Sequence, residues 1–147
     1  MRLVREMREE LCRTGVRAVH VGSEDYPAQL AVDRERPPVL YVRGNLGHLD
    51  HRRVAIIGTR SASASGRYFA AHLGFELASR GIAVVSGLAR GIDVWAHRGV
   101  RGANERNKVS PLAVGVVGSG LNVIYPPEHD EMWGWVSSEG LLLSEHA

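Results

Sequence analysis

Two short runs of aliphatic residues each lead straight into a glycine turn and then into a helical pattern. They are Val54-Ala-Ile-Ile-Gly-Thr-Arg60 and Val84-Val-Ser-Gly-Leu-Ala-Arg-Gly-Ile-Asp93, the second followed by Ala96-His97. A buried strand that runs through a tight glycine turn into a helix is how a parallel α/β sheet builds an anion site, because the helix start presents unpaired backbone N–H groups. Arg60 ends the first turn and Arg90 lies inside the second, so permanent positive charge stands beside those donors. The pattern points to a phosphate-bearing ligand.

The rest of the chain extends the same rhythm. Strands are predicted over 16–21, 39–42, 54–57, 82–86, 112–117 and 141–144, and helices over 2–14, 64–80, 93–102 and 128–138, with a short helical piece ending at Leu30. Strands alternating with helices at this spacing predict right-handed crossovers and an α/β, Rossmann-like, mainly parallel sheet with helices on both faces. In the 64–80 helix, Phe69, Leu73 and Leu77 recur every four residues, and Gly81 sits at the C-terminal cap position. Residues 103–111 read as a polar loop. The chain is expected to hold an N-terminal helix over 1–15 and one domain over 16–147.

Composition narrows the function classes. At 147 residues and 44% hydrophobic content, the chain can bury one good core. No apolar run is long enough to span a bilayer, and Met1 leads into Arg and Glu rather than a signal-peptide segment, so a cytoplasmic location without membrane partners is expected. A single cysteine, Cys12, makes no internal disulfide and has no companion at metal-ligand spacing. Residues 43–106 hold ten Arg against four Asp or Glu, whereas 119–147 hold five acidic residues and no Lys or Arg. The middle third is therefore the expected anion-facing part.

In a parallel sheet every strand delivers its C-terminal loop to one edge. Four loops qualify: Gly58-Thr59-Arg60, Ser86-Gly87-Leu88-Ala89-Arg90-Gly91, Gly118-Ser119-Gly120 and Ser144-Glu145. A glycine after a strand serves tight turns whether or not anything binds. Three such turns at one edge, each with a hydroxyl neighbour, are what favour a binding site. Asp93 reads as the N-cap of its helix. His97, four residues on, could hydrogen-bond Asp93 or face the crevice. Glu145 could accept from a ribose or base or simply order its loop, and Trp95, Trp133 and Trp135 read as packing residues. Ser86, Ser119 and Ser144 lack a placed His and carboxylate, and no metal constellation or cofactor signature appears, so binding without catalysis is expected.

Taken in order, Tyr26-Pro27, Pro37-Pro-Val-Leu-Tyr-Val-Arg-Gly44, Ala55-Ile-Ile-Gly-Thr-Arg60, Ser86-Gly-Leu-Ala-Arg-Gly-Ile-Asp93, Ala96-His97, Gly118-Ser-Gly-Leu121, Tyr125-Pro-Pro127 and Leu143-Ser-Glu145 resemble the DNA-processing protein A (DprA/Smf) family. The resemblance runs from about residue 16 to the end. It implies a Rossmann-like domain that binds single-stranded DNA, protects it and hands it to the RecA recombinase during natural transformation, as a homodimer and without catalysis. It also implies that Gly58, Thr59, Arg60, Ser86, Gly87, Leu88, Ala89, Gly91 and Asp93 line a basic pocket for the DNA backbone, with Arg60 as the leading phosphate contact.

The chain departs from the family pattern by ending just after Ser144-Glu145, by a longer and more polar 103–111 segment, and by lacking most of the N-terminal helical domain. Leu141-Leu-Leu143 is therefore expected to leave an apolar edge or face uncovered, and the chain to be marginally stable or to self-associate. Two other readings compete. The same glycine loops suit a nucleotide-binding sensor or phosphoribohydrolase-like enzyme, although the Pro-Gly-Gly-x-Gly-Thr pattern of the latter is missing. The third reading is an inactive truncated fragment.

Overall fold

The computed structural model describes residues 13–146. Arg13 and Thr14 are helical; the rest of the expected N-terminal helix, with Cys12, lies outside the described residues. Six strands form one sheet: β1 (Arg17–His20), β2 (Val39–Gly44), β3 (Arg53–Ala55), β4 (Ala83–Ser86), β5 (Ala113–Val116) and β6 (Leu141–Ser144). The helices are α1 (Ala28–Ala31), α2 (Ala64–Ser79), α3 (Ile92–Asn107) and α4 (Asp130–Glu139), with 3-10 turns at Leu46–Asp50 and Pro127–His129.

The spatial order is β1-β2-β6-β5-β4-β3. Strands β3 to β6 run parallel, while β1 and β2 add an antiparallel margin beside β6. The mainly parallel α/β sheet anticipated from the sequence is thus present. Val84, Ala113 and Leu142 point to one face, where Ala78 of α2, Val94, Ala96, Val100 and Ala103 of α3, and Met132, Trp133 and Val136 of α4 close a core over them. The opposite face carries Val19, Leu40, Val42, Ala83, Val114, Leu141 and Leu143. Its cover comes from Tyr26, from Leu30 and Ala31 of α1, and from Leu46 and Leu49 of the first 3-10 turn.

Three expectations are corrected. First, α3 continues through Asn107, so the first half of the supposed polar loop is helix. Ala103 is fully buried, Arg101 pairs with Glu105 one turn on at 2.9 Å, and Lys108 closes the helix in the left-handed conformation. Second, of the apolar stripe on α2 only Leu77 packs against the core: Phe69 is 61% and Leu73 37% exposed, and the fully buried side is Ala70, Gly74 and Ala78. That side meets α3 at very short range, where a Cβ on Gly99 would lie 2.8 Å from the Ala71 carbonyl carbon and the Phe75 backbone nitrogen. Small residues let the two backbones approach, and the larger side chains are turned outward. Third, β6 is central, held between β2 and β5 with all four residues buried. The open parallel edge is β3 instead, where Val54 is 41% exposed and Ile57, just past the strand, 79%. A parallel strand apolar on both faces is ordinarily covered on both, so this margin is unusual for a sheet of this class.

Candidate functional site

Because β3, β4 and β5 are parallel, their C-terminal turns converge on one edge. A cleft of about 420 Å³ opens there, lined by Arg60 after β3, by Gly87, Leu88, Ala89 and Asp93 after β4, and by Val116, Val117, Gly118 and Ser119 after β5, with Tyr125 opposite. Seven of the residues singled out from the sequence therefore meet in one place: Arg60, Gly87, Leu88, Ala89, Asp93, Gly118 and Ser119. Tyr125, 57% exposed, is the addition that sequence reasoning did not nominate; its signal was the Tyr125-Pro-Pro127 motif that brings the chain back over the cleft. Glu145, by contrast, lines a larger cavity of about 530 Å³ on the opposite sheet face. Leu30, Leu40, Leu49, Val85, Val114, Val116 and Leu143 wall that cavity, which suits it poorly to an anion.

The other nominated residues build the cleft from behind. Ser86 is buried, and its Oγ donates to the Ile56 carbonyl at 2.6 Å, tying β4 to β3. Thr59 accepts the Ser61 N–H on Oγ1 at 3.1 Å and the Ile92 N–H on its carbonyl at 3.2 Å, so the first turn caps the start of α3. Gly91 is the N-cap of α3 at φ 81°, a left-handed backbone that only glycine adopts easily. Gly120 accepts the Val123 N–H and is buried. Ser144 Oγ donates to the Ser119 carbonyl at 2.8 Å and fixes the third turn to β6.

Asp93 and His97 take roles other than those anticipated. The α3 N-cap is Gly91 rather than Asp93. Asp93 lies in the first turn, where its carboxylate accepts the Gly58 N–H at 3.4 Å and also hydrogen-bonds the Gly87 backbone. One side chain thereby joins the first two glycine turns. Burial raises the Asp93 pKa, opposed by those two backbone hydrogen bonds and by the charge of Arg60. His97 is fully buried, with Nε2 3.3 Å from the Ser86 carbonyl, and it does not reach the cleft surface. Its Nδ1 finds no hydrogen-bond partner among the described residues, and burial pushes its pKa down to about 4.

The basic middle third proves mostly occupied with itself. Arg80 pairs with Glu76, Arg90 with Glu128, and Arg101 with both Glu105 and Glu131. Arg98 and Arg106 lie over the rings of Trp95 and Phe75 at 4.4 and 5.7 Å. Trp133 is buried and donates from Nε1 to the Tyr125 carbonyl at 3.3 Å, so it packs as expected. Among the described residues no cluster of His, Cys, Asp and Glu could hold a metal ion, and no helix is long and apolar enough to cross a membrane. What remains at the cleft, among the described residues, is the exposed guanidinium of Arg60 beside the turns that follow β4 and β5, a group that suits an anion, with the Asp93 carboxyl as its counterweight.

Comparison with known proteins gives a consistent family. The family described as DNA recombination-mediator protein A matches residues 17–147. Protein Smf of Synechocystis is 38% identical over 129 residues, covering 83% of this chain and 30% of the relative. Among solved structures, DNA processing protein A from Streptococcus pneumoniae superimposes with a TM-score of 0.76 at 28% identity, over 94% of this chain and 47% of the other. The protein of the same name from Helicobacter pylori, described for its single-stranded DNA binding mode, gives 0.74 at 29% identity, over 88% and 55%. The chain thus spans about a third to a half of the length of these relatives.

Proposed function

Since the chain belongs to the DprA/Smf family of DNA recombination mediators, we propose that it binds the phosphodiester backbone of single-stranded DNA in the cleft at the C-terminal edge of the sheet. The observation that carries this reading is the convergence of Arg60 with the backbone of Gly87–Ala89 and Gly118–Ser119 on one concave rim. A guanidinium on a concave rim where the backbone lets a strand approach closely grips phosphate and ignores sequence, which is what a recombination mediator needs. The single-stranded DNA binding of the Helicobacter pylori relative supports the same reading. Gly58, Thr59, Ser86, Gly91, Asp93 and Gly120 act as the frame of the site, and catalysis is no part of it. Delivery of the strand to RecA in the cytoplasm and action as a homodimer complete the proposed role, carried by a single domain over 16–147.

Arg60→Ala tests this directly, by fluorescence anisotropy with a labelled oligodeoxythymidylate at 50 and 200 mM salt. Loss of one charge-assisted contact should weaken binding about tenfold or more. The slope of log K against log salt should fall by about 0.7, the contribution of one phosphate on a single strand. An unchanged affinity and slope would remove Arg60 from the interface. Stabilisation by mononucleotides alone, with no response to oligonucleotides, would transfer the cleft to a nucleotide-sensing role.

A further inference from the structure

Arg90 stands in the turn whose neighbours Leu88 and Ala89 line the cleft, yet its guanidinium is already engaged: Nε donates to Oε1 of Glu128. The pair is open to solvent, with the two side chains 57% and 48% exposed. It is also fixed in place. Glu128 lies on the 3-10 turn Pro127–His129, and Nδ1 of the next residue, His129, is hydrogen-bonded to the Leu88 carbonyl at 2.7 Å. Across the cleft, the positive charge of Arg60 faces the buried carboxyl of Asp93, so the lining alone offers little net attraction for a polyanion.

We propose that Glu128 is a built-in stand-in for phosphate on Arg90, which a nucleic-acid backbone must displace, so that only a strand long enough to engage Arg60 and Arg90 together gains the full attraction. The inference rests on the single-stranded DNA reading above. An ion pair this open to solvent contributes little to folding, and the turn is secured independently by His129, so the pair is free to exchange partners. Arg90 holds the Glu128 carboxyl down to about 2, so it stays ionised and competes with phosphate across the working pH range.

The test compares Glu128→Gln, Arg90→Ala and the double variant in the full chain, by anisotropy with oligodeoxythymidylates of four and twenty nucleotides. Glu128→Gln should tighten binding of the twenty-nucleotide strand about three- to tenfold at low salt and steepen its salt dependence by up to about 0.7. The short strand, which cannot reach both guanidiniums, should gain less, relative to wild type, than the long one. Adding Arg90→Ala should erase the gain. Unchanged or weaker binding by Glu128→Gln, with an unaltered urea melt, would overturn the proposal, as would a gain that survives loss of Arg90. A wild-type chain that binds no oligonucleotide, or binding indifferent to Arg60→Ala, would instead fell the underlying reading and this one with it.

Discussion

The crossing of α2 over α3 sets the distance between the first two turns of the cleft, and two glycines on α3 allow that distance to be probed with an internal control. Gly99→Ala places a methyl group 2.8 Å from the Ala71 carbonyl carbon and the Phe75 nitrogen, and nearer still to the Ala71 oxygen. All three are backbone atoms of α2, so no side chain can swing aside. Restoring ordinary contacts of about 3.5–4.0 Å requires the helices to part by about 1 Å. Overpacking of this kind costs about 1–3 kcal/mol, against about 1 kcal/mol gained from the higher helix propensity of alanine. Because every contacted atom is backbone, the upper part of that range, about 2–3 kcal/mol, applies, and the expected net loss is about 1–2 kcal/mol, a fall in Tm of roughly 4–8 °C for a domain of this size. Gly102→Ala, one turn on in the same helix, meets only the Phe75 ring at 3.7 Å. It keeps the propensity gain without the clash and should raise Tm by up to about 4 °C. Thermal melts by circular dichroism decide the matter. A Gly99→Ala protein as stable as wild type, or two variants that fall alike, would refute the close-contact account.

Three further outcomes are expected. His97 is neutral in the fold with its pKa lowered from 6.5 to about 4; the unfolded chain therefore takes up a proton first as pH falls, and stability should drop by about 2 kcal/mol between pH 7 and 4.5. Urea midpoints should show that drop in wild type and a flatter profile in His97→Gln, and equal slopes would exclude His97 as the cause. Ser86→Ala removes the buried donor to the Ile56 carbonyl and should cost about 1–3 kcal/mol in urea unfolding, whereas a neutral result would mean that the β3–β4 link is dispensable. The apolar β3 margin should make the chain associate as concentration rises, and Ile57→Lys should reduce that tendency in sedimentation velocity; a monomer at every concentration would contradict it.

Much of the fold was readable because the strands are continuous aliphatic runs and their glycine turns follow at once. The boundaries of β6, Leu141–Ser144, fall where the sequence placed them. The failures share a cause. Where α2 and α3 touch, the buried residues are Ala70, Gly74, Ala96, Gly99 and Ala103, and small residues leave no hydrophobic periodicity to detect. The stripe of Phe69, Leu73 and Leu77 therefore marked the helix without marking its buried side, and the tail of α3 looked like a loop. At the site, Arg60 and the glycine turns could be found locally. The engagement of Arg90 could not, since Glu128 is 38 residues away and meets it only through the returning Tyr125-Pro126-Pro127 segment. Nor could the role of Asp93, because a carboxylate near a helix start gives no hint that it reaches back to Gly58.

That reach of Asp93 bears on the thermodynamics of capture. With the Gly58 and Gly87 amides already fastened to one carboxylate, the floor of the cleft has its final shape before anything arrives. Little protein disorder remains to be lost on association. The entropic cost should then fall on the flexible strand, so stiffening the nucleic acid, rather than the protein, is what would strengthen the complex.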